Sequence, residues 1–368
     1  MAEAPPAHNE IEVSVLGPGV GECIVLHLGG GAWVVIDSCR DRAAGKAAPL
    51  AYFETIGVDP ATAVVAVVIS HWHDDHVAAA AEVVEACTSA RVVCSAALRT
   101  PEFIKFVVAG RRLKTVAGGT SEMAKIFDII ARRRQAGARP MGAGPDWTLE
   151  NQIIWRRPAS AALPSAELHA LSPSAAALSL AMREFGQALP KADNSPKRNV
   201  VRQQPNHVAV ALWASIGNTN IILGSDLENT PDASTGWKAV VASDRRPPGT
   251  AACFKIPHHG SPTGHNPDIW TTLVARDAFA VITPYRRCNL PSDGDIARVR
   301  AATRRVFMTA PTRPSRPPRR DAIVERMTNR ANRGVLDGRV GRVSIRAPVE
   351  AGFLETATVT LHGAAYQA

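Results

Sequence analysis

Six residues that directly follow an apolar run restrict the possible folds of this chain more than any other feature. Residues 61–70 have the composition of a buried strand, and the next six include His71, His73, Asp74, Asp75 and His76. Imidazole and carboxylate groups are the ligands that Zn²⁺ and Mn²⁺ prefer. A polar loop with surface histidines is the alternative, but it seldom gathers so many ligand-type side chains. The sequence therefore predicts a metal site where a buried strand ends.

Size and composition are those of a globular enzyme. The chain has 368 residues, of which 46% are hydrophobic and 20% charged, enough for a large core in one α/β domain. No apolar run approaches the ~20 residues needed to cross a bilayer. The N-terminus lacks the pattern of a signal peptide. The six cysteines are dispersed without a CxxC pair, so we expect core thiols in a cytoplasmic protein with no membrane contact.

The charge balance favours an anionic partner. The formal net charge is +9, and the isoelectric point is about 9.6. Arginine binds phosphate through a planar set of donors, so nucleic acid is the expected substrate or partner. A GC-rich genome is the alternative explanation, because Ala, Arg, Gly and Pro are all abundant. Much of the excess charge lies in the C-terminal third, at Arg298, Arg300, Arg304, Arg305, Arg313, Arg316, Arg319 and Arg320.

Hydrophobic patterning predicts two β-rich halves with helices outside. Strands are expected at 11–16, 22–28, 33–37, 61–70 and 91–94, and later at 151–155, 167–171, 207–213, 220–223, 252–257, 279–283, 339–346 and 355–361. Helices are expected at 47–56, 77–87, 122–134 and 174–189, and loops at 137–145, 191–204 and 310–320. This order predicts a four-layer αββα sandwich in a single domain, 1–368. Within it, 101–205 is an insertion or lid, and 310–368 is a basic C-terminal segment with closing strands.

Polar clusters end four of these strands: Asp37, the block 71–76, Asp226, and the pair His258 and His259. The set resembles the metallo-β-lactamase superfamily over about residues 11–310, and most closely its ComEC/Rec2-like branch. The segments that carry the resemblance are HxHxDH at 71–76, GVGEC at 19–23, LGSD at 223–226 and KIPHHGS at 255–261.

The resemblance implies a role for each matching residue. His71 and His73 would hold one divalent metal, Zn²⁺ or Mn²⁺, while Asp75 and His76 would hold a second. Asp226 would bridge the two ions, and His258 would complete the second site, with His259 as the other candidate. Asp37 would orient a ligand or the attacking water, and Asp75 or Asp37 would handle the proton.

Some assignments stay open at this stage. The first metal needs a third protein ligand, and His207 is either that ligand or a histidine facing its strand. If His207 is not a ligand, the first site is weak or empty and the protein holds one metal tightly. Asn206, Ser261 and Lys255 are the candidate substrate contacts, although Lys255 could instead point toward neighbouring strands.

The expected function is hydrolysis by a metal-activated hydroxide, with phosphodiester bonds in DNA or RNA as the favoured substrate. The first alternative is a hydrolase of a small substrate such as a cyclic nucleotide, phosphoester, lactone or thioester. The second is a partner-gated effector subunit of a multi-protein system, an antiviral one included. A protein partner or a homo-oligomer fits either alternative.

Overall fold

The computed structural model describes residues 3–101, 103–105, 107, 118–135, 145–188, 205–313 and 340–368. The predicted loops at 137–145 and 191–204 and the connector at 310–320 lie mostly outside these ranges. Two eight-stranded sheets dominate the described part, together with one two-stranded ribbon. The ribbon consists of β4 (Arg40–Asp41) and β5 (Lys46–Ala47).

The first sheet combines both ends of the chain. Strands β3, β6, β7 and β8, the last of which is an edge strand, run parallel, whereas the other neighbours are antiparallel. In spatial order the strands are β17 (Thr358–His362), β16 (Gly341–Pro348), β1 (Glu10–Gly17), β2 (Cys23–His27), β3 (Trp33–Ile36), β6 (Val64–Ile69), β7 (Arg91–Ser95) and β8 (Asp146–Thr148).

The second sheet has a similar plan, with β12, β13, β14 and β15 parallel. Strands β11 and β12 pair antiparallel and form a hairpin about Gly217 and Asn218. In spatial order the strands are β18 (Tyr366–Gln367), β15 (Val306–Met308), β14 (Val274–Ile282), β13 (Ala251–Lys255), β12 (Thr219–Leu223), β11 (Leu212–Ile216), β10 (Ala166–Ala170) and β9 (Gln152–Arg157).

Helices cover the outer faces of the two sheets. Those before residue 140 are α1 (Ala48–Ile56), α2 (Pro60–Ala63), α3 (Asp74–Val77), α4 (Ala80–Ala86) and α5 (Gly118–Gln135). The later ones are α6 (Ala175–Ala188), α7 (Gly236–Ala242), α8 (Pro267–Thr272), α9 (Asp293–Ala302) and α10 (Phe353–Thr356).

The buried side chains form three layers of core, and this arrangement confirms the predicted αββα sandwich. One cluster lies between the sheets and joins residues such as Val13 and Val68 to Leu212 and Val281. A second packs α1, α4 and α5 on the first sheet. The third packs α7, α8 and α9 on the second sheet. Because both faces of each sheet are covered, the strands β2 and β3 are buried at every position.

Three predicted elements differ from the structure near the polar clusters. The strand at 61–70 begins only at Val64, because Asp59 caps the short helix α2 and Pro60 begins it. The helix at 77–87 is split into α3 and α4, with Ala79 in the left-handed region at φ 64°. The strand at 207–213 begins at Leu212, and His207 lies in a 3₁₀ turn, Pro205–Val208.

The segment 101–205 contributes to the sandwich itself. Its described parts supply β8 to the first sheet and β9 and β10 to the second, besides α5 and α6. The rest of this predicted insertion or lid lies outside the described residues. The predicted closing strand pair is confirmed, since β16 and β17 are antiparallel neighbours.

Two simpler expectations can be compared directly with the structure. Among the described residues, no helix combines the length and apolar character needed to span a membrane. Five of the six cysteines are buried free thiols, as predicted, whereas Cys288 is exposed. Cys39 lies beside Cys23, with the sulfur atoms 3.7 Å apart.

His27 makes the fold sensitive to acid. Its ring is buried 4.6 Å from that of Trp33, and its Nε2 accepts a hydrogen bond of 3.1 Å from the Gly31 N–H. Burial lowers the pKa of His27 to about 4 from an ordinary 6.5. A depressed histidine pKa contributes stability that is present above pH 6.5 and is lost as the pH falls toward 4.

We predict that His27→Gln removes much of this acid sensitivity, since the Gln amide oxygen can accept the same hydrogen bond without titrating. Between pH 7 and pH 5 the wild type should lose about 2 kcal/mol of unfolding free energy that the variant retains. Urea unfolding at both pH values measures the difference. Equal losses in the two proteins would contradict the prediction.

Candidate metal centre

Parallel strands of both sheets end at one edge of the sandwich, and their first loop residues form the site. Asp37 follows β3, and His71 follows β6 by two residues. Asp226 follows β12 by three residues, and His259 follows β13 by four. The carboxyl ends of neighbouring parallel strands lie side by side, so these distant positions converge.

Asp37 orients His76. The Asp37 carboxylate accepts hydrogen bonds from the backbone N–H and the hydroxyl of Ser70, at 2.8 and 2.6 Å. Its Oδ2 also lies 2.8 Å from Nδ1 of His76. This contact places the proton of His76 on Nδ1 and leaves Nε2 free to act as a ligand. Asp37 is buried and makes all three of these contacts within the protein, so its carboxylate holds the His76 ring in place.

One group of ligand atoms consists of His71, His73 and Asp226. One nitrogen or oxygen from each lies within 4.8 Å of the others. Nε2 of His71 is 3.2 Å from Nδ1 of His73, and Nδ1 of His71 is 3.0 Å from the Ser70 hydroxyl. The structure thus brings together the histidines predicted for the first metal and the predicted bridging aspartate.

A second group shares the same aspartate. His76 Nε2 lies 3.2 Å from one Asp226 oxygen, and His259 Nε2 lies 3.6 Å from the other. Asp75 is beside them, with its Oδ2 3.0 Å from His259 Nε2. His259 Nδ1 donates to the Thr283 carbonyl oxygen at 2.9 Å, so its Nε2 carries the lone pair. Asp226 therefore lies between two groups of imidazoles.

Unpaired buried atoms indicate that these groups fit a cation. His76 Nε2 and one oxygen of Asp226 are buried and lack a hydrogen-bond partner among the described residues. Such atoms cost about 1–3 kcal/mol each when left unsatisfied. A divalent cation would satisfy a lone pair and an anionic oxygen together. The donor set of imidazole and carboxylate is also the one that zinc and manganese take.

Electrostatics divide the four histidines of the cluster into two pairs. Burial and the neighbouring rings of His76 and His73 hold the pKa of His71 well below its usual value, so its imidazole is neutral. Burial also lowers the pKa of His73. Although burial opposes it, the imidazoles of His76 and His259 lower the pKa of the Asp226 carboxyl well below the ordinary range. The carboxylates act in the opposite sense on the other two rings: although burial opposes it, Asp226 and Glu22 raise the pKa of His76 well above its usual value, and Asp226 and Asp75 raise the pKa of His259. His71 and His73 are therefore already neutral, whereas a metal ion would displace a proton from His76 and His259.

Left-handed backbone is concentrated at this site. Of the residues other than glycine with positive φ, Asp37, Ser225, His258 and His259 all lie in the loops that form it, at φ 59°, 45°, 47° and 53°. A β-carbon makes this conformation unfavourable, and it persists where the surrounding structure imposes it. The side-chain contacts of Asp37 and His259 described above impose it at those two positions.

Glu22 is a residue of the site that the sequence did not reveal. It is buried, hydrogen-bonded to Lys255 Nζ and to the Thr283 hydroxyl, and its Oε2 lies 3.5 Å from His259 Nδ1. The sequence did contain a signal for this residue, because Glu22 lies within the GVGEC motif at 19–23 that carries part of the family resemblance. Lys255 was predicted to contact substrate, but it is fully buried and bonds Glu22 and the Ser225 carbonyl oxygen. It lies beneath the site.

The structure leaves four other predicted residues outside the two ligand groups. His258 turns away, with Nδ1 2.8 Å from Glu228 and Nε2 3.3 Å from the Asn206 amide nitrogen, so His259 occupies the position predicted first for His258. Asn206 has a buried side-chain oxygen without a partner among the described residues. Ser261 caps the turn Pro262–Gly264 with its hydroxyl. His207 belongs to none of the ligand groups found in the described residues.

Trp72 connects the ligand loop to the helices outside it. Its ring lies 5.1 Å from that of Phe103 and 5.3 Å from that of Phe185, and all three are buried. Gly119, at the start of α5, donates its N–H to the Asp74 carboxylate. A β-carbon on Gly119 would overlap the Trp72 carbonyl oxygen. The ligand loop is therefore held from outside by packing as well as by the strand ends.

Comparison with known proteins agrees with this fold. Residues 16–147 match the family model described as "Metallo-beta-lactamase superfamily", a stretch that runs from β1 to β8 and contains the 71–76 motif. The predicted resemblance is thereby confirmed at superfamily level, and the ComEC/Rec2-like branch stays a prediction. No curated protein matches the chain.

Solved structures similar to the chain include three proteins of this fold. The metallo-beta-lactamase fold protein YhfI from Bacillus subtilis is 12% identical over 67% of this chain and 70% of its own, with a TM-score of 0.31. Zn(2+)-bound PqqB from Methylobacterium extorquens is 13% identical over 77% and 84%, with a TM-score of 0.34. MEM-A1, a subclass B3 metallo-beta-lactamase from a soil metagenome library, is 14% identical over 70% and 80%, with a TM-score of 0.33. At this distance no function passes from them to this chain.

We predict that Gly119→Ala destabilises the protein by about 1–3 kcal/mol, because the added methyl group must push α5 away from the Trp72 carbonyl. Gly294→Ala is the matched control, since a β-carbon there meets only the Ser292 hydroxyl at 3.8 Å. Urea unfolding measures both variants. If the two changed stability equally, close packing of α5 on the ligand loop would be wrong.

We predict that Asp226→Asn reduces the affinity for Zn²⁺ and Mn²⁺ by roughly 100-fold or more, since even a partner outside the ligand set is worth about 10- to 100-fold. Because Asp226 belongs to both ligand groups, this one substitution weakens metal binding at both. Asp244→Asn, at an exposed position, is the control. Elemental analysis after dialysis and calorimetric titration give the measurement. Unchanged metal content in Asp226→Asn would contradict the assignment.

Proposed function

We propose that this protein is a metal-dependent hydrolase that cleaves phosphodiester bonds with two divalent cations. The observation that carries the proposal is that Asp226 belongs to two ligand groups, one with His71 and His73 and the other with His76 and His259. His71 and His73 would hold one cation, and His76, His259 and Asp75 the other. Cations bound there would act as Lewis acids on phosphoryl oxygens and make a water molecule acidic enough to attack near neutral pH.

The protein's own residues supply the fixed geometry. Asp37 and the Thr283 carbonyl each hold a ligand imidazole in one tautomer, so His76 and His259 present Nε2 without rearrangement. The enclosed Asp37 carboxylate acts as a positioning residue. Asp75 lies at the mouth, and the rings of His76 and His259 lower the pKa of its carboxyl against the effect of burial. It remains an ionised group next to the reacting centre.

Charge favours a phosphodiester over a neutral substrate. The formal net charge of +9 attracts anions over a distance set by ionic strength. A phosphodiester carries one negative charge and develops more on its equatorial oxygens during attack, which paired cations offset. Lactones and thioesters carry no such charge. Asn206, with a buried unpaired amide oxygen on the His258 side, is available to bind a donor of the substrate.

Incubation with single- and double-stranded DNA and RNA in Mn²⁺ or Zn²⁺ tests the proposal. The wild type should cleave at least one polymer and should release nitrophenol from bis-nitrophenyl phosphate. A His73→Ala, Asp226→Ala double variant should lose both activities by a factor of at least about 100, because it lacks a ligand of each cation. Asp244→Asn, a substitution at an exposed position, is the control for effects that any mutation would have.

Each outcome decides between functions. Cleavage of polymer that survives in the double variant would exclude this site as its source. Nitrophenol release without polymer cleavage would favour the hydrolase of a small phosphoester. If neither substrate reacted while the wild type bound metal, phosphodiester hydrolysis by the isolated chain would be wrong.

A further inference from the structure

A cationic cleft opens beside the candidate metal centre. It has a volume of about 460 Å³, and Asp75 belongs to both its wall and the ligand cluster. Four arginines line it, Arg40, Arg42, Arg286 and Arg287, together with Lys125 from α5. The cleft is of the size usual for ligand pockets. Because it shares Asp75 with the cluster, a molecule lying in it would extend to the metal centre.

The cations of the cleft differ in what already binds them. Arg40 pairs with Glu82, and Lys125 pairs with Glu122. The Arg286 guanidinium donates hydrogen bonds to two backbone carbonyl oxygens, that of Pro311 at 2.9 Å and that of Pro18, in the turn before β2, at 3.4 Å. Arg42 and Arg287 are exposed, and neither forms an ion pair with a carboxylate of the described residues. These two have unneutralised charge to offer an anion.

The acidic groups in the same wall are engaged elsewhere. The Asp74 carboxylate accepts the Gly119 N–H, and Glu122 pairs with Lys125 and accepts the Ala81 N–H. Asp75 faces His259 and would be neutralised by a cation in the cluster. Lining cations outnumber lining carboxylates by five to three, so the cleft carries positive potential toward its opening.

The residues around His258, none of which lines the cleft, have a different character. His258, Glu228, Asn206 and Thr263 form a hydrogen-bonded set there, in which Glu228 lies beside the His258 ring. No arginine or lysine takes part in this set. The metal centre therefore has a cationic cleft on the Asp75 side, whereas the polar set on the His258 side contains the Glu228 carboxylate and no arginine or lysine.

We propose that the cleft of Arg40, Arg42, Lys125, Arg286 and Arg287 binds the phosphates of a single nucleic-acid strand next to the scissile bond. The inference rests on the proposed phosphodiesterase activity and adds the substrate class. A volume of about 460 Å³ is enough for a nucleotide-sized part of a single strand and too small to enclose a duplex. Arginine is the side chain best suited to phosphate oxygens. The strand would run from the cleft past Asp75 to the metal centre.

Binding can be measured without cleavage. The full-length protein, kept in a chelator, is titrated with a fluorescein-labelled single-stranded oligonucleotide at several salt concentrations. The Arg42→Glu, Arg287→Glu double variant should bind at least about tenfold more weakly than the wild type. Its salt slope should fall by about 0.7 for each phosphate that the variant no longer neutralises. Arg245→Glu, Arg276→Glu is the matched control, because both arginines are exposed and lie outside the cleft.

The activity of the metal-loaded proteins separates this inference from the function on which it rests. With Mn²⁺ present, the cleft variant should raise KM for the oligonucleotide more than it lowers kcat. A wild type that binds the strand but cleaves nothing would contradict the proposed function and leave the cleft as a binding site. If the cleft variant bound the oligonucleotide as tightly as the control variant, the proposed binding of phosphates in the cleft would be wrong. Tighter binding of duplex than of single strand would overturn its assignment to one strand.

Discussion

A single buried carboxylate organises the site. Asp226 lies on a strand end of the second sheet, and its two oxygens face imidazoles that come from both sheets. Three of the four residues around it, His71, His76 and His259, are also buried. Burying a charge costs several kcal/mol unless other groups compensate it. The edge of the sandwich is therefore stable only when the carboxylate and its imidazoles lie together. The same contacts thus stabilise the fold and position the candidate metal ligands.

The residues beneath the ligands also contain buried charges that neutralise each other. Glu22 and Lys255 form a fully buried ion pair between the two sheets, and Thr283 hydrogen-bonds the same carboxylate. A buried pair gives little net stability, yet removing one partner leaves a charge that nothing else neutralises. The pair also fixes relative position. Glu22 accompanies the first sheet and Lys255 the second, so their contact holds the ligand loops of the two sheets in register.

Sequence identified those parts of the site in which spacing along the chain decides the geometry. The block 71–76 is contiguous, and the positions of Asp37 and Asp226 follow from strand ends. Sequence could not choose between His258 and His259, because that choice depends on two successive left-handed residues and on which ring reaches Asp75. The pairing of Glu22 with Lys255 was not predicted, because residues 233 positions apart in the chain share no local pattern. His207 was placed on a strand because its neighbours are apolar, whereas the strand begins only at Leu212.

Net charge was also a poor guide to where an anion would bind. Arg298 bonds Asp295 and the Gly260 carbonyl oxygen, and Arg305 packs on the Phe279 ring while donating to Leu354. These arginines of the C-terminal third stabilise the fold, so their charge is already engaged. The unpaired charge near the metal centre comes from Arg42 and Arg287, which lie on short connections after β3 and β14. Since an anion is attracted by charge that the protein has left unneutralised, position within the fold matters more than the total.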